Sequence, residues 1–375
     1  MARRARGEGS YRLRPDGRWE ARFSFEQGGR RIRRSVFGKT KDEARRKMQA
    51  AQRRIEDNLP LPPEKLTVKT YLSSWLAGKQ ATLRRKTYLT YKSKVDLHLI
   101  PELGHHKLAK LQPTHLKDAY ANIGQRVSGT TVQHVHGILH VALRDAEREG
   151  LVARNVASLI TAPRRSTGEQ KYLRVDEANQ LLVAAKGEPL EPFFVTALLS
   201  GLRLGELQAL RWRDVDLERR RLVVNRTFQG LQDGNPVFGE PKTANSRRTV
   251  WLPDRVIDAL ERQQDTQDAQ RRKAGPAWRE FGLVFSSRTG TPLDTYHVSQ
   301  RHFASLLKKA ELPHMRFHDL RHSGATIWLS QGVPVKVVSE MLGHADVSTT
   351  LRIYAHVIEG SQAQAVSVMD KLFSA

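Results

Sequence analysis

Polar and apolar residues alternate in the first stretch of the chain and recur at helical spacing over most of the rest. Residues 10–14 are short and alternating, and Pro15-Asp16-Gly17 marks a turn. Trp19, Ala21, Phe23 and Phe25 then alternate with Glu20, Arg22 and Ser24. Gly28-Gly29 turns the chain into a third predicted strand over residues 31–37. A helix follows, opened by a capping box of Thr40 and Glu43 and carrying Ala44, Met48, Ala51 and Ile55 on one stripe. One face of this three-stranded meander packs on the helix; the other carries Arg12, Arg14 and Arg22.

The prolines of residues 58–63 make a stiff linker. Beyond it, four helices are predicted over residues 67–80, 86–100, 113–123 and 130–149, with Pro101 stopping the second and Gly150 the fourth. In the fourth, Val132, Val135, Leu139, Ala142 and Ala146 share a stripe. Residues 163–169 form a second linker. The remainder reads as helices at 175–185 and 191–200, a break at Gly201, and a further helix beginning at 206–212. Three β-like pieces follow, at 221–228, 237–240 and 247–252, with Lys242 in the last loop. Helices resume at 253–273, 295–310, 318–331, 335–342 and 347–353. The expected domains are 1–60, 64–163 and 170–375. The fold class is α+β, mainly α: a three-stranded sheet plus helix, a four-helix domain, and a mainly helical domain with one small antiparallel sheet.

Charge sharpens this picture. The chain of 375 residues has a net charge of +24. Lys and Arg outnumber Asp and Glu by 18 to 8 in residues 1–60, by 17 to 8 in 61–170, and by only 28 to 23 in 171–375. The excess lies where a polyanion would be gripped. A basic ribbon of two or three strands is narrow enough to enter a DNA major groove, although solvated arginines on a generic ββα unit explain the same pattern. Arg84 and Arg85 stand among the basic residues of the helical domain. No cysteine is present, so disulfides and Cys-based zinc sites are excluded. No apolar run is long enough to span a membrane and the N-terminus lacks a signal-peptide core, so a cytoplasmic location is expected.

The densest chemistry lies between Phe317 and Val357. His318 and Arg321 share one face of a helix start. Leu342-Gly343-His344 follows, and then Tyr354. Arg203, backed by Glu206 at i+3, and Lys242 stand earlier. Arginine suits the clamping of a phosphate because its planar fork binds two oxygens and stays charged. A tyrosine can attack phosphorus and conserve bond energy in a covalent ester, and a lysine among cations can protonate a leaving oxygen. Tyr296 is the competing tyrosine. His314, His318 and His322 recur every four residues, a spacing that can hold zinc on a helix, but Pro313 puts His314 ahead of that helix.

Taken together, SGLRLGEL at 200–207, PKTANSRRTV at 241–250, HDLRH at 318–322 and LGHADVSTTLRIYAHV at 342–357 resemble the tyrosine recombinases, specifically the phage-type integrases. Phe317 is a minor departure from a position where that family often has a small hydroxyl residue. The resemblance implies site-specific DNA recombination. Arg203, His318, Arg321 and His344 would activate the scissile phosphate, Tyr354 would attack it, and Lys242 would protonate the leaving 5′-oxygen. It further implies an arm-type DNA-binding domain at 1–60, a core-site-binding domain at 64–163 and a catalytic domain at 170–375. The implied partners are double-stranded DNA, three further copies of the chain in a tetramer, and excisionase and DNA-bending proteins. No cofactor, metal or ATP is implied. The apolar tail, with Val366, Val368, Met369 and Leu372, is expected to dock on the same or a neighbouring subunit. Related classes that share the features are a type IB topoisomerase, a chromosome-dimer resolver and a DNA-binding protein without catalysis.

Overall fold

The computed structural model describes residues 9–27, 30–56, 65–161, 171–240 and 247–358, with Val366, Asp370, Leu372 and Phe373 beyond them. It divides into two compact units, Met1–Gly168 and Glu169–Ala375.

In the first unit, β1 (Ser10–Leu13), β2 (Trp19–Gln27) and β3 (Arg30–Gly38) form an antiparallel meander in that order. Trp19, Ala21, Phe23 and Phe25 all fall on one face, as alternation requires, and pack on Ala44, Met48, Ala51 and Ile55 of α1 (Lys41–Glu56). The capping box forms, in a shifted version: the Glu43 amide donates to Thr40 Oγ1 at 3.2 Å, and the Glu43 carboxylate accepts from the Lys39 amide at 2.7 Å.

A separate core joins α2 (Val68–Lys79), α3 (Arg85–Lys94), α4 (Ile100–Leu103), α5 (Pro113–Gly124) and α6 (Gly129–Arg148). The expected stripe of α6 is wholly buried. Pro101 does not stop the second helix. A π-helical turn over Val95–Leu99 widens the coil, with the Ile100 amide bonded to the Val95 carbonyl. Pro101 therefore falls in the first turn of α4, where a missing N–H leaves nothing unbonded.

The second unit opens with α7 (Val175–Ala185) and α8 (Glu191–Ser200), at the bounds the spacing predicts. The helix expected at 206–212 is only α9 (Leu204–Leu207). Beyond it, the Leu210 carbonyl accepts from the Val284 amide and the Trp212 amide donates to Gly282, so bonds to a distant segment replace helical ones. The sheet expected to be single is two. One runs β4 (Val215–Asp216), β5 (Arg221–Val224) and, next to β5, β8 (Arg248–Trp251); the other pairs β6 (Thr227–Gln232) with β7 (Asn235–Gly239). The expected strand 221–228 breaks at Asn225-Arg226 because those side chains are held elsewhere. Asn225 donates to Asp214 at 2.9 Å, and Arg226 donates to the Ala209 carbonyl at 2.7 Å.

After α10 (Asp254–Ala274), a π-helical turn over His297–His302 leads into α11 (Phe303–Lys309). Next come α12 (Asp319–Ser330), α13 (Val335–Leu342) and α14 (Val347–Ile358). Phe193, Phe194, Phe285, Phe303 and Phe317 meet ring to ring in the core on which α8 and the start of α12 rest. Phe317, the minor departure from the family pattern, is thus a core residue with 5% exposure. The tail expected to dock lies largely outside the described residues; Val366 and Leu372 are exposed.

Candidate active site

The C-terminal end of α13 organises this region. The last carbonyls of a helix have no intrahelical donor. Here three successive ones, Met341, Leu342 and Gly343, each accept from a different arginine: Arg248 Nε at 2.6 Å, Arg321 Nη2 at 2.5 Å and Arg203 Nη2 at 3.4 Å. Cations also suit the negative end of a helix dipole. Gly343 ends the helix in the left-handed region at φ 65°, and a Cβ there would lie 3.0 Å from the Arg248 side chain. Gly201 ends α8 in the same way at φ 64°. Its carbonyl accepts from Arg321 Nη1 at 2.6 Å, so Arg321 is pinned between two helix ends.

Arg203 enters from the turn between α8 and α9, and Glu206 holds it as its spacing suggests. The Glu206 carboxylate accepts from the Arg203 amide at 2.9 Å and from Arg203 Nη1 at 2.9 Å. Arg248 completes the set with two bonds to the same carboxylate, at 3.1 and 2.8 Å. Burial pushes the Glu206 pKa up, but the Arg248 bonds and the charges of Arg248 and Arg203 outweigh it and hold it at about 2. Arg321 is 3% exposed, and desolvation, with Arg203 next, lowers its pKa to about 9, which still leaves it charged at neutral pH. Arg203 is the accessible guanidinium of the three, its side chain 37% exposed.

Two histidines flank the arginines. His318 sits at the N-terminal boundary of α12 and keeps an exposed edge. Desolvation, then His322, Arg321 and Arg203, depress its pKa to about 4. His344 follows Gly343, with Nδ1 2.7 Å from the hydroxyl of Thr350, a fully buried residue of α14. Desolvation and then Arg321 and Arg203 hold His344 near 4. In the tautomer in which the Thr350 hydroxyl donates to Nδ1, the ring proton is on Nε2, where it can be donated to an anion.

Tyr354 is 2% exposed and packs with Ala325, Val338 and Leu342. It interrupts α14 with φ −115° and ψ 16°, near the bridge region that many active-site residues occupy. Its hydroxyl lies 2.8 Å from His322 Nδ1. Desolvation raises its pKa to about 12 although Arg321 lowers it.

Arg203, Glu206, His318, Arg321, His344 and Tyr354 are therefore gathered in one region. Lys242 lies outside the described residues. Tyr296 stands 62% exposed, with its ring beside that of His297. His314 is exposed ahead of α12, and His322 Nδ1 is taken by Tyr354, so the three-histidine spacing does not become a ligand set. Among the described residues no group of three His, Cys, Asp or Glu is placed to hold a metal ion. Sequence reasoning missed Arg248, Thr350 and the bond from His322 to Tyr354. Arg248 had a readable signal: it shares strand parity with the buried Val250, so an arginine faces inward.

The five other basic candidates belong to the first unit. Arg12, Arg14 and Arg22 are exposed on the sheet. Arg14 lies 5.3 Å over the Phe37 ring, and Arg22 makes two bonds to Glu20 at 2.9 and 3.1 Å. Arg84 and Arg85 are exposed at the start of α3.

A cluster of arginines and histidines beside a buried tyrosine, on this mainly helical fold, defines a tyrosine-type site-specific recombinase. The profile described as the phage integrase family matches residues 171–360, and that of the phage integrase N-terminal SAM-like domain matches 67–123. An integrase of Streptomyces ambofaciens is 34% identical over 389 aligned positions, covering 99% of this chain and 98% of that protein. A XerC-like tyrosine recombinase of Caldanaerobacter subterraneus is 30% identical, covering 93% and 94%. The chain belongs to the phage integrase family. Two solved structures share its fold. The Tn1549 transposon integrase in complex with transposon right end DNA has a TM-score of 0.70 at 19% identity, covering 83% of this chain and 100% of that one. A lambda integrase dimer bound to a COC′ core site has 0.59 at 17%, covering 94% and 96%.

Proposed function

We propose that this recombinase cuts and rejoins DNA at the attachment sites of a mobile element through a 3′-phosphotyrosine at Tyr354. The observation that carries the reading is the convergence of Arg203, Arg321 and His344 on the end of α13, with Tyr354 in the helix that follows. Arg203 and Arg321 bind the non-bridging oxygens of the scissile phosphate, and His318 and His344 donate to them. Tyr354 Oη bonds to phosphorus, the bond from phosphorus to O5′ breaks, and Lys242 protonates O5′. Attack by a partner strand's 5′-hydroxyl reverses each step. The ester conserves the bond energy, so no nucleotide cofactor is needed.

In the same reading, residues 1–60 bind arm-type sites through Arg12, Arg14 and Arg22. Residues 64–163 bind core sites with help from Arg84 and Arg85, and residues 170–375 catalyse. Strand exchange proceeds in a tetramer on paired sites in the cytoplasm, with excisionase and DNA-bending proteins setting direction. A basic excess concentrated in residues 1–170 supports the assignment of DNA grip to the first two segments.

The test is covalent trapping on an attachment-site duplex nicked so that the cleaved end diffuses away. A protein–DNA adduct on a denaturing gel, formed without metal and lost in Tyr354→Phe, is the expected result. Binding without an adduct would overturn the catalytic reading.

A further inference from the structure

The proposed reaction leaves one proton without a destination. Tyr354 must lose its hydroxyl proton as Oη bonds to phosphorus, and the arginines around it cannot accept one. We propose that His322 is the general base of cleavage, taking that proton on Nδ1 and returning it at rejoining; the assignment rests on the recombinase reading above.

Geometry carries it. His322 Nδ1 is 2.8 Å from Tyr354 Oη, within the reach a general base needs. The tyrosine is 2% exposed, so bulk water is not the acceptor at hand. The other two histidines are otherwise placed: His344 Nδ1 is bonded to Thr350, and His318 meets His322 edge to face, their rings 5.0 Å apart. His318, Arg321 and His322 fall at i, i+3 and i+4, so one turn of α12 presents a phosphate donor, the clamp and the base together. His322 is also kept ready to accept. Desolvation lowers its pKa, Asp319 partly opposes this, and Arg321 and Arg316 add to it, so the ring is neutral before the reaction.

The step balances. In cleavage the bond from Oη to phosphorus forms and the bond from phosphorus to O5′ breaks. The tyrosine proton moves to His322 Nδ1, and Lys242 supplies a proton to O5′. In rejoining the attacking 5′-hydroxyl gives its proton to Lys242, and the His322 imidazolium protonates the departing Tyr354 oxygen.

The test is single-turnover adduct formation on the nicked duplex by the full chain and by His322→Asn, His322→Ala, Lys242→Ala and Tyr354→Phe. Asparagine keeps a hydrogen bond to the hydroxyl but accepts no proton at neutral pH. Both His322 variants are expected to cleave about 10²–10³-fold more slowly while binding the duplex as the wild type does. Added imidazole should speed His322→Ala and leave Tyr354→Phe inert. A duplex with sulfur in place of the bridging 5′-oxygen has a leaving group that departs unprotonated. It should rescue Lys242→Ala and leave both His322 variants slow. Should His322→Ala melt early, His322→Asn carries the comparison. Cleavage by His322→Asn at the wild-type rate overturns the assignment, and so does equal rescue of His322 and Lys242 variants by the sulfur duplex. In those outcomes Tyr354→Phe stays dead and the recombinase reading survives. An adduct that persists in Tyr354→Phe overturns both.

Discussion

The arginines of the two units are spent in opposite ways. On the β-sheet of the first unit they are exposed and paired, where paired at all, with carboxylates two residues away, as Arg18 is with Asp16 and Arg22 with Glu20. In the second unit Arg248 and Arg321 are buried and bonded to carbonyls or carboxylates 21 to 120 residues distant. Exposed charge keeps its hydration, adds affinity for a polyanion and is screened by salt. Buried charge loses hydration, and only a full set of partners offsets that loss. What the second arrangement gives in return is fixed geometry, because each guanidinium plane is set by two or more acceptors before any phosphate arrives.

Removing a buried arginine should therefore do far more than removing an exposed one, and Arg321 is where the contrast is greatest. Lysine at this position keeps a charge but cannot bridge the Gly201 and Leu342 carbonyls as a planar fork does. Arg321→Lys is expected to slow adduct formation by at least about 10²–10³-fold. It should also lower the melting temperature, through the carbonyl left unbonded. Retention of near wild-type cleavage would mean that fixed geometry is not what burial provides.

Arg248 and Glu206 come next, and they test burial apart from contact with phosphate. Their side chains are 6% and 4% exposed. Arg248→Met should destabilise by about 3–5 kcal/mol, because it removes two of the bonds to the buried Glu206 carboxylate and leaves it with Arg203 alone. Glu206→Gln added to Arg248→Met should recover part of that loss, and the cycle measures the coupling. Cleavage should stay impaired in the double variant, since Arg203 has lost its carboxylate partner. Recovery of activity together with stability would reduce Arg248 to packing alone.

These buried partnerships are also where the sequence was hardest to read. The helices at 175–185, 191–200 and 335–342 appear with the bounds that apolar spacing predicts, because their cause is local. The order of Arg203, His318, Arg321, His344 and Tyr354 was legible too, since residue types in a fixed order carry the family resemblance. What stayed hidden depends on tertiary bonds. The strand break at Asn225-Arg226 follows from Asp214 and Ala209, and the short α9 from Gly282 and Val284. Arg248 looked like one more basic residue in SRRTV until the carbonyl of Met341 and the carboxylate of Glu206 were seen around it.

Acid should change stability by a smaller effect. His318 and His344 titrate near 4 in the folded protein against 6.5 for an unperturbed ring. Between those values the unfolded chain binds more protons, so stability rises with pH across the window and is lost as pH falls from 6.5 toward 4. A thermal melt followed at several pH values should show this slope, and His344→Gln should flatten it. A slope unchanged in His344→Gln would place the acid-sensitive group elsewhere.

The smallest effects belong to the exposed arginines, and they differ among themselves in an informative way. Arg12 has no carboxylate partner among the described residues, so its charge is available to a phosphate. Arg12→Ala should leave the melting temperature unchanged and weaken DNA binding alike across sequences. The plot of log affinity against log salt should become shallower by about 0.9 for one lost phosphate contact. Arg22 sits on Glu20, which is 5% exposed although it is acidic, and the bond to Arg22, with a further one from Ser35, holds the Glu20 pKa low. Arg22→Ala should therefore lower stability as well as affinity, because it leaves a covered carboxylate without its cation. A double variant, Glu20→Gln with Arg22→Ala, should restore stability while binding stays weak. If Arg12→Ala and Arg22→Ala instead gave the same salt slope with no difference in melting, the ion pair with Glu20 would be only a surface contact. The sheet face would then act as a uniform patch of charge.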